Sequence, residues 1–203
     1  MILAIVLGLA LLLALAIALR PRLGDKPFAF VALFALPAVA ALMGVNEQLE
    51  RSHETRFCTS CHVMERYGRS LKVDDATLLA ASHYQGGRVP RDRACFTCHT
   101  EYTMYGDLNA KLRGLRHVYV NYLGKAPAKL KLYTPYKNRE CLHCHEGTRR
   151  YLGAQTHQEP ADRFEKMGKD QVSCVNADCH GSVHAADEVD TLPLWEPRPG
   201  GKK

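Results

Sequence analysis

The chain has 203 residues and a formal net charge of +6, with 27 Lys or Arg residues against 21 Asp or Glu residues. The basic residues are dispersed and no nucleic-acid-binding motif accompanies them, so the composition argues against a nucleic-acid partner. A chain of this length corresponds to one domain with attached segments.

Two apolar runs open the sequence and predict a pair of membrane-spanning helices. The first extends from Ile2 to Leu19 without a charged residue, and the second extends from Phe28 to Val45. A helix needs about 20 apolar residues to cross a bilayer, and each run approaches that length with its flanks. Pro37 lies inside the second run, where a lipid-embedded helix tolerates it better than a soluble one.

The segment 20–27 between these runs predicts their orientation. It holds Arg20, Arg22 and Lys26 against one acid, Asp25. Because short loops rich in Lys and Arg stay in the cytoplasm, this loop is predicted to be cytoplasmic. The outer ends of both helices are then on the opposite side of the membrane.

A cleaved signal peptide is the alternative for residues 1–19. Ala16 and Ala18 are small residues that suit a cleavage site. However, no basic residue precedes the apolar run, and a signal peptide normally has one. With either outcome, the residues from about 46 onward are predicted to be tethered to a membrane.

Four cysteine motifs follow and use all eight cysteines. Three read Cys-x-x-Cys-His, and the fourth has four residues instead of two between its cysteines. This pattern is typical of c-type haem attachment, because the two thiols form thioethers with the haem vinyl groups and the adjacent histidine reaches the iron. The attachment residues are Cys58 and Cys61, Cys95 and Cys98, Cys141 and Cys144, and Cys174 and Cys179.

Other chemistry for these cysteines fits the pattern less well. A thioredoxin-like redox centre needs one Cys-x-x-Cys beside a βαβ unit, and a structural zinc site does not need a histidine after each pair. A disulfide framework does not explain why a histidine directly follows each of the four cysteine pairs. We therefore predict four covalently bound haem c groups, whose apolar mass dominates the core of the domain.

The fold is predicted to be mainly α, in three parts. Residues 1–45 form the transmembrane hairpin with the loop 20–27, residues 46–190 form a tetrahaem cytochrome c domain with little regular structure, and residues 191–203 form a Pro/Gly-rich extended tail. Within the haem domain, short helices are predicted over residues 71–82 and 101–122, the second from the spacing of its leucines and tyrosines.

The histidines supply the predicted axial ligands of the irons. His99, His145 and His180 each follow a cysteine motif, as does His62. Low-spin electron-transfer haems need a second strong ligand, so the surplus of histidine is predicted to be largely ligating. The remaining histidines are His53, predicted to be solvated, His143, predicted to be structural because it lies inside a motif, and His83, His117, His157 and His184.

At these motifs the sequence resembles the NapC/NirT/NrfH family of membrane-anchored tetrahaem quinol dehydrogenases, most closely the NrfH branch. The similarity runs from about the second apolar run to His184. The resemblance rests on the first motif through Met64, His83 ahead of the second motif, Lys111, and the run from Cys179 to His184.

This resemblance implies roles for individual residues. Met64, rather than His62, would ligate the first iron, as in the branch that serves cytochrome c nitrite reductase. His184 would be the distal ligand of the second haem and His83 that of the third. Lys111 matches a lysine that lines the quinol pocket.

The sequence departs from the family pattern at three places. It has two apolar runs where the family usually has one anchor, its fourth motif is wider, and His117 stands near a position that is normally acidic. For the fourth haem, His157 is the nearest unassigned histidine and is the predicted distal ligand. A lysine from the partner subunit, as in the nitrite-reductase branch, is the alternative.

These features predict a membrane-anchored quinol dehydrogenase subunit in the cytoplasmic membrane, with its haem domain on the periplasmic side. Menaquinol or another quinol is oxidised beside the first haem, where Lys111 binds a quinol oxygen and His117 accepts a proton. A solvated Lys111 with a haem-ligating His117 is the alternative. The electrons pass to an extracytoplasmic reductase, nitrite-reductase-like by resemblance, or to another multihaem subunit.

Two other functions remain open at this stage. The chain could be an electron-wire subunit of a larger respiratory complex whose quinone site lies elsewhere. It could also be a terminal reductase, which would require an open haem position surrounded by catalytic residues.

The predicted topology can be tested by cysteine-accessibility labelling of intact cells. A cysteine introduced at residue 24 should react with a membrane-impermeant thiol reagent only after the membrane is opened, since residues 20–27 are predicted to be cytoplasmic. A cysteine at Asn46 serves as the matched control and should react without permeabilisation. Labelling of residue 24 in intact cells would contradict this topology.

Overall fold

The computed structural model of the chain describes residues 2–125, 136–176, 178–181 and 183–196. These residues are mainly helical, as predicted, and no β-strand occurs among them apart from an isolated bridge between Val73 and Leu194. The chain divides into two compact units, residues 1–52 and 53–203.

The first unit consists of two helices in contact with each other. Helix α1 covers Ile2–Leu23 and includes a buried residue, Ala16. Helix α2 is continuous over Asp25–Arg51, with a π-helical turn at Val31–Ala35. This turn stands just before Pro37, whose missing N–H removes the α-helical bond to the carbonyl of Leu33.

Helix α2 has the length and composition of a membrane span. It has 27 residues, its apolar window has a mean hydropathy of 2.4, and none of that window is buried. Within the described part of the chain it alone meets this criterion. The predicted loop 20–27 is shorter than expected: only Gly24 is non-helical, and Arg20 reaches across it to Asp25 at 2.9 Å.

The second unit consists of short helices joined by turns. The α-helices are α3 (Thr55–Cys58), α4 (Glu65–Ser70), α5 (Leu79–Gln85), α6 (Ala94–His99), α7 (Gly106–Tyr122), α8 (Asn138–His145), α9 (Arg149–Gly153), α10 (Gln155–Gln158) and α11 (Arg163–Gly168). Two 3-10 turns cover His62–Met64 and Arg91–Arg93.

Helix α7 begins five residues later than the sequence predicts. A Cβ atom on Gly106 would lie 1.6 Å from the backbone oxygen of Glu101, so this close approach accepts only glycine. Helix α5 likewise starts at Leu79, not at residue 71, because residues 71–78 are turns and an extended segment that pairs with the C-terminal region.

A small apolar cluster holds the C-terminal region against the rest of the second unit. Val73, Leu78, Ala81 and Val189 are buried together. Beside them, the backbone N–H of Trp195 donates to Lys72 at 2.7 Å and that of Asp74 to Pro193 at 2.9 Å. Residues 193–195 of the predicted tail are therefore extended and docked, and residues 197–203 lie outside the described range.

Candidate functional site

The cysteine motifs sit at the ends of short helices. The first begins in the last residue of α3, the second occupies the end of α6, and the third the end of α8. In a helix, residues i and i+4 share one face, so the first cysteine and the histidine of each fully helical motif lie on the same side. The described residues of the fourth motif, 174–176 and 178–180, lie in turns and bends.

Cysteines of different motifs contact each other in pairs. The thiol of Cys95 donates a hydrogen bond to Cys58, which lowers the pKa of the Cys58 thiol to about 7. In the same way the thiol of Cys174 bonds to Cys141 and lowers the pKa of the Cys141 thiol. The first and second attachment points are thus adjacent, as are the third and fourth.

Cys98, in the second motif, lies close to the cysteines of the third motif and so links the Cys58–Cys95 pair to the Cys141–Cys174 pair. Burial raises the pKa of its thiol, and the neighbouring Cys141 and Cys144 raise it further. The second motif therefore lies next to the third, and the four attachment points form one continuous series in chain order.

Three motif histidines each face a histidine from elsewhere in the chain. The ring centroids of His99 and His184 are 6.1 Å apart with the planes nearly parallel, at 13°. The other two pairs are His83 with His145, at 5.9 Å, and His157 with His180, at 6.2 Å.

This spacing fits one metal ion between each pair of rings. A nitrogen–metal bond of about 2 Å on either side places two such ring centroids roughly 6 Å apart. Among the described residues, no group of three or more His, Cys, Asp or Glu side chains forms a metal site. Two histidines that could bind the iron, with a pair of thiols that could attach the porphyrin through thioethers, fit a haem c, whereas a structural zinc site needs four ligands from the protein.

The non-motif histidine of each pair is held through its Nδ1 atom. His83 Nδ1 lies 2.8 Å from the carbonyl oxygen of Leu79, and His157 Nδ1 lies 3.0 Å from that of Tyr151. A carbonyl can only accept, so Nδ1 carries the proton and Nε2 keeps its lone pair. This is the tautomer that binds a metal through Nε2.

His184 is held in the same way by a hydroxyl group. Its Nδ1 is 2.8 Å from the Oγ of Ser70, which is itself fully buried. Because Ser70 donates its hydrogen to the carbonyl of Tyr67 at 2.6 Å, it accepts from Nδ1. Burial, with His99 nearby, lowers the pKa of His184 to about 4, so the ring is neutral at pH 7.

The first motif has a different environment. His62 has a side chain that is 95% exposed, and its Nδ1 lies 3.0 Å from Glu65. Met64, at the end of the same 3-10 turn, is half-buried. His62 is thus at the surface, whereas Met64 is partly covered.

Lys111 and His117 lie on α7 but approach different motifs. The Nζ of Lys111 is 4.5 Å from the ring centroid of Phe96, and its charge contributes to the lowered pKa of Cys58 in the first motif. Burial and Arg116 lower the pKa of His117, which in turn lies close enough to His99 to lower the pKa of that ring.

An open cavity of about 500 Å³ lies beside these residues, at the start of α7. The rings of Tyr102 and His143 are stacked near it at 3.8 Å and 9°. Neither Lys111 nor His117 is part of its lining, which consists of Phe96, Thr100, Glu101, Tyr102, Thr103, Met104, Asp107 and His143.

His53 was predicted to be solvated, but it is buried in the structure. It is only 7% exposed, its ring lies 4.0 Å from that of Phe96, and its Nε2 is 3.2 Å from Asp107 in the first turn of α7. No local pattern in the sequence predicts this contact, because 54 residues separate the two partners.

Asn138 is a structural residue that the sequence analysis missed. It begins α8, is 2% exposed, and donates from Nδ2 to the carbonyls of Met167 at 2.8 Å and Val172 at 2.6 Å. Its Oδ1 accepts from the backbone N–H of Cys174 at 2.8 Å. One buried side chain thus ties the helix of the third motif to the start of the fourth.

Comparisons with known proteins agree with these features. The profile described as the NapC/NirT cytochrome c family, N-terminal region, matches residues 25–189. The chain is also 24% identical over 168 residues to the cytochrome c-type protein NapC of Haemophilus influenzae, covering 75% of this chain and 78% of that protein. No solved structure matches the chain significantly.

Replacement of Asn138 should loosen the link between the third and fourth motifs. Asn138→Ala leaves buried backbone groups without their partner, at a cost of roughly 2–4 kcal/mol. We expect a lower melting temperature and a fraction of chains that lack one haem by intact-protein mass spectrometry. Asn109→Ala, an exposed position on α7, is the control. An Asn138→Ala protein with parental melting and full haem content would contradict this role.

Proposed function

The chain belongs to the NapC/NirT cytochrome c family, and from that membership we propose that it oxidises quinol at the membrane surface and passes the electrons to an extracytoplasmic reductase. The family makes it a membrane-anchored electron-transfer cytochrome with covalently bound haem c. The finer proposal is carried by the series of adjacent motifs, which begins at Cys58, next to Lys111, and continues to Cys174.

One haem is proposed for each motif, four in all. A bound haem supplies a one-electron redox centre, and the chain supplies its ligands and surroundings. The 6 Å ring spacings support His99 with His184, His145 with His83, and His180 with His157 as the residues that would hold the irons of the second, third and fourth haems.

The first iron is proposed to take Met64 as a ligand in place of His62. The exposure of His62 and its contact with Glu65 support this choice, as does the half-buried position of Met64. A thioether is a softer donor than imidazole and raises the reduction potential. A higher potential favours acceptance of the first electron from a quinol.

Lys111 is proposed to bind a quinol oxygen beside the first motif. Menaquinol, or another quinol, releases two electrons and two protons when it becomes the quinone, and the electrons leave one at a time. The ammonium group of Lys111 can donate a hydrogen bond to the quinol oxygen and stabilise negative charge that develops on it. Its closeness to Cys58 supports this position.

His117 is proposed to accept a proton from the quinol. Its lowered pKa leaves the ring neutral near pH 7, with a lone pair available to take the proton. His117 stands six positions after Lys111, which turns the helix by about 600° and leaves the two side chains about 120° apart, so they flank an edge of α7 and do not share one face. Ligation of an iron by His117 is the alternative that the experiment must separate.

The fourth motif ends the series and is the proposed exit to the partner. The ring of His157 lies 6.2 Å from that of His180, which supports His157 over a lysine from the partner as the second ligand there. The partner is an extracytoplasmic reductase or another multihaem subunit, and a nitrite reductase is the version that the NrfH resemblance implies. The haem domain is placed on the periplasmic side, where c-type haems are attached.

The ligand of the first iron can be tested with three variants. Met64→His should lower the midpoint potential of one haem and leave the other three unchanged, because imidazole is the harder donor. His62→Ala should change neither that potential nor its spectrum. The measurement is a redox titration of the purified chain followed by optical and EPR spectra. An unchanged first haem in Met64→Ala would show that Met64 is not a ligand.

The quinol site can be tested by two substitutions on α7. Lys111→Gln and His117→Gln should each slow reduction of the haems by a menaquinol analogue on the order of 10²-fold, while all four haem spectra are retained. Lys166→Gln removes a charge from α11, away from the site. The haems of this control variant should be reduced at the parental rate. A lost or high-spin haem in His117→Gln would identify His117 as an iron ligand instead.

A further inference from the structure

The planes of the facing histidine rings differ from one pair to the next. The rings of His99 and His184 are nearly parallel, with 13° between their planes. In the pair of the third motif the planes meet at 81°, and in the pair of the fourth motif they meet at 61°. Of the three facing pairs that the structure describes, only that of the second motif is close to parallel.

Two side chains of α4 hold the ring of His184. Its Nδ1 donates to the Oγ of Ser70 at 2.8 Å, and the ring of Tyr67 stands edge-on to it, with the centroids 5.4 Å apart and the planes at 79°. The torsion that turns a histidine ring has broad minima, so the ring needs such neighbours to stay in one orientation. Ser70 is itself fixed, because it is fully buried and donates to the carbonyl of Tyr67 at 2.6 Å.

The acceptor at Nδ1 distinguishes His184 from the other two non-motif histidines. His83 and His157 donate to backbone carbonyls, which no side-chain substitution removes. His184 donates to a side-chain hydroxyl, and a hydroxyl can be deleted by a single substitution. Ser70 can therefore be tested separately from the histidine that it holds.

The backbone on both sides of His184 is fastened to the same part of the second unit. The carbonyl of Val183 accepts from the backbone N–H of Ala80 at 3.2 Å. Five residues after His184, the carbonyl of Val189 accepts from the Nε of Arg69 at 3.0 Å. Because Arg69 directly precedes Ser70 on α4, the hydroxyl and the chain that carries His184 keep a fixed relative position.

We propose that Ser70 is a positioning residue, whose hydroxyl holds the imidazole of His184 parallel to that of His99 and strengthens its Nε2 as a donor to the iron. An acceptor at Nδ1 makes an imidazole a stronger ligand, and hydrogen bonds of this kind are one means by which a protein sets the reduction potential of a haem. This inference rests on the proposed assignment of His99 and His184 to the second haem. It is independent of quinol oxidation.

The angle between the ring planes has a spectroscopic consequence. Parallel axial imidazoles separate the energies of the two π-type d orbitals of a low-spin ferric iron, which gives a rhombic EPR spectrum. Steeply inclined planes leave these orbitals nearly equal in energy and give a signal with one large g value. We therefore expect a rhombic signal from the second haem and a large-g signal from the third, whose ring planes meet at 81°.

A redox titration of the purified, haem-loaded chain followed by EPR tests this proposal. His184→Ala should remove the rhombic signal and so assign it to the second haem. Ser70→Ala should keep four haems by intact-protein mass spectrometry, because alanine is smaller and suits a helix. It should raise the midpoint potential of the rhombic signal and move its shape toward the large-g type, with the other signals unchanged. Ser70→Thr keeps a hydroxyl and should retain the parental signal and potential.

Ser52→Ala is the matched control. The Oγ of Ser52 donates to the carbonyl of Leu49 at 2.6 Å, the same bond to the third preceding residue that Ser70 makes, but Ser52 belongs to no histidine pair. Its EPR spectrum and potentials should be parental.

Several outcomes would overturn the proposal. One is a fully haem-loaded Ser70→Ala chain with the parental rhombic signal and potential. Another is the loss of a haem from both Ser70→Ala and Ser70→Thr, which would make Ser70 a packing residue. A rhombic signal that persists in His184→Ala would instead show that the ligand assignment itself is wrong, and the role of Ser70 would fall with it.

Discussion

The arrangement of histidines in facing pairs is the constraint on which the second unit depends. Each pair joins a motif histidine to one that is distant in the sequence, with ring centroids 5.9 to 6.2 Å apart. The non-motif ring is fixed through Nδ1 by a carbonyl or by Ser70, so its Nε2 keeps the lone pair that a metal needs. Few apolar side chains are buried in the described part of this unit, and the cluster around Val73 is small. The histidine pairs and buried polar side chains such as Asn138 therefore account for much of the tertiary organisation.

The contacts between motifs arrange the four attachment points in one series that follows the order of the chain. Cys58 meets Cys95, Cys98 lies by the third motif, and Cys141 meets Cys174, so neighbouring motifs in the sequence are neighbours in space. Short steps between redox centres are what an electron-transfer protein requires. Helix α7 lies at the beginning of this series, with Lys111 close to the first motif. In our account this helix thus brings the quinol to the first motif.

Local patterns in the sequence were enough to predict the cysteine motifs, the apolar anchor and α7, because each depends on residues within a few turns of one another. The start of α7 was placed too early, since only the approach of Gly106 to the Glu101 carbonyl reveals where the helix begins. His53 was predicted to be solvated and is buried, and Asn138 and Ser70 were not singled out. Their partners are 29 to 114 residues away, and no periodicity or spacing encodes such contacts. The roles of His83 and His184 came from family resemblance, and the structure adds the geometry that supports them.

Reduction of the purified chain by a menaquinol analogue, in the absence of any partner, tests the central claim most directly. The chain is reconstituted in vesicles and mixed with the quinol in a stopped-flow spectrometer, and the haem absorbance is followed at a single pH. The account predicts rapid reduction that begins at the haem of the first motif and spreads to the others, with two electrons delivered per quinol. Haems that stay oxidised with quinol, yet are reduced at once by dithionite, would contradict the account and identify the chain as an electron carrier that receives its electrons from another protein.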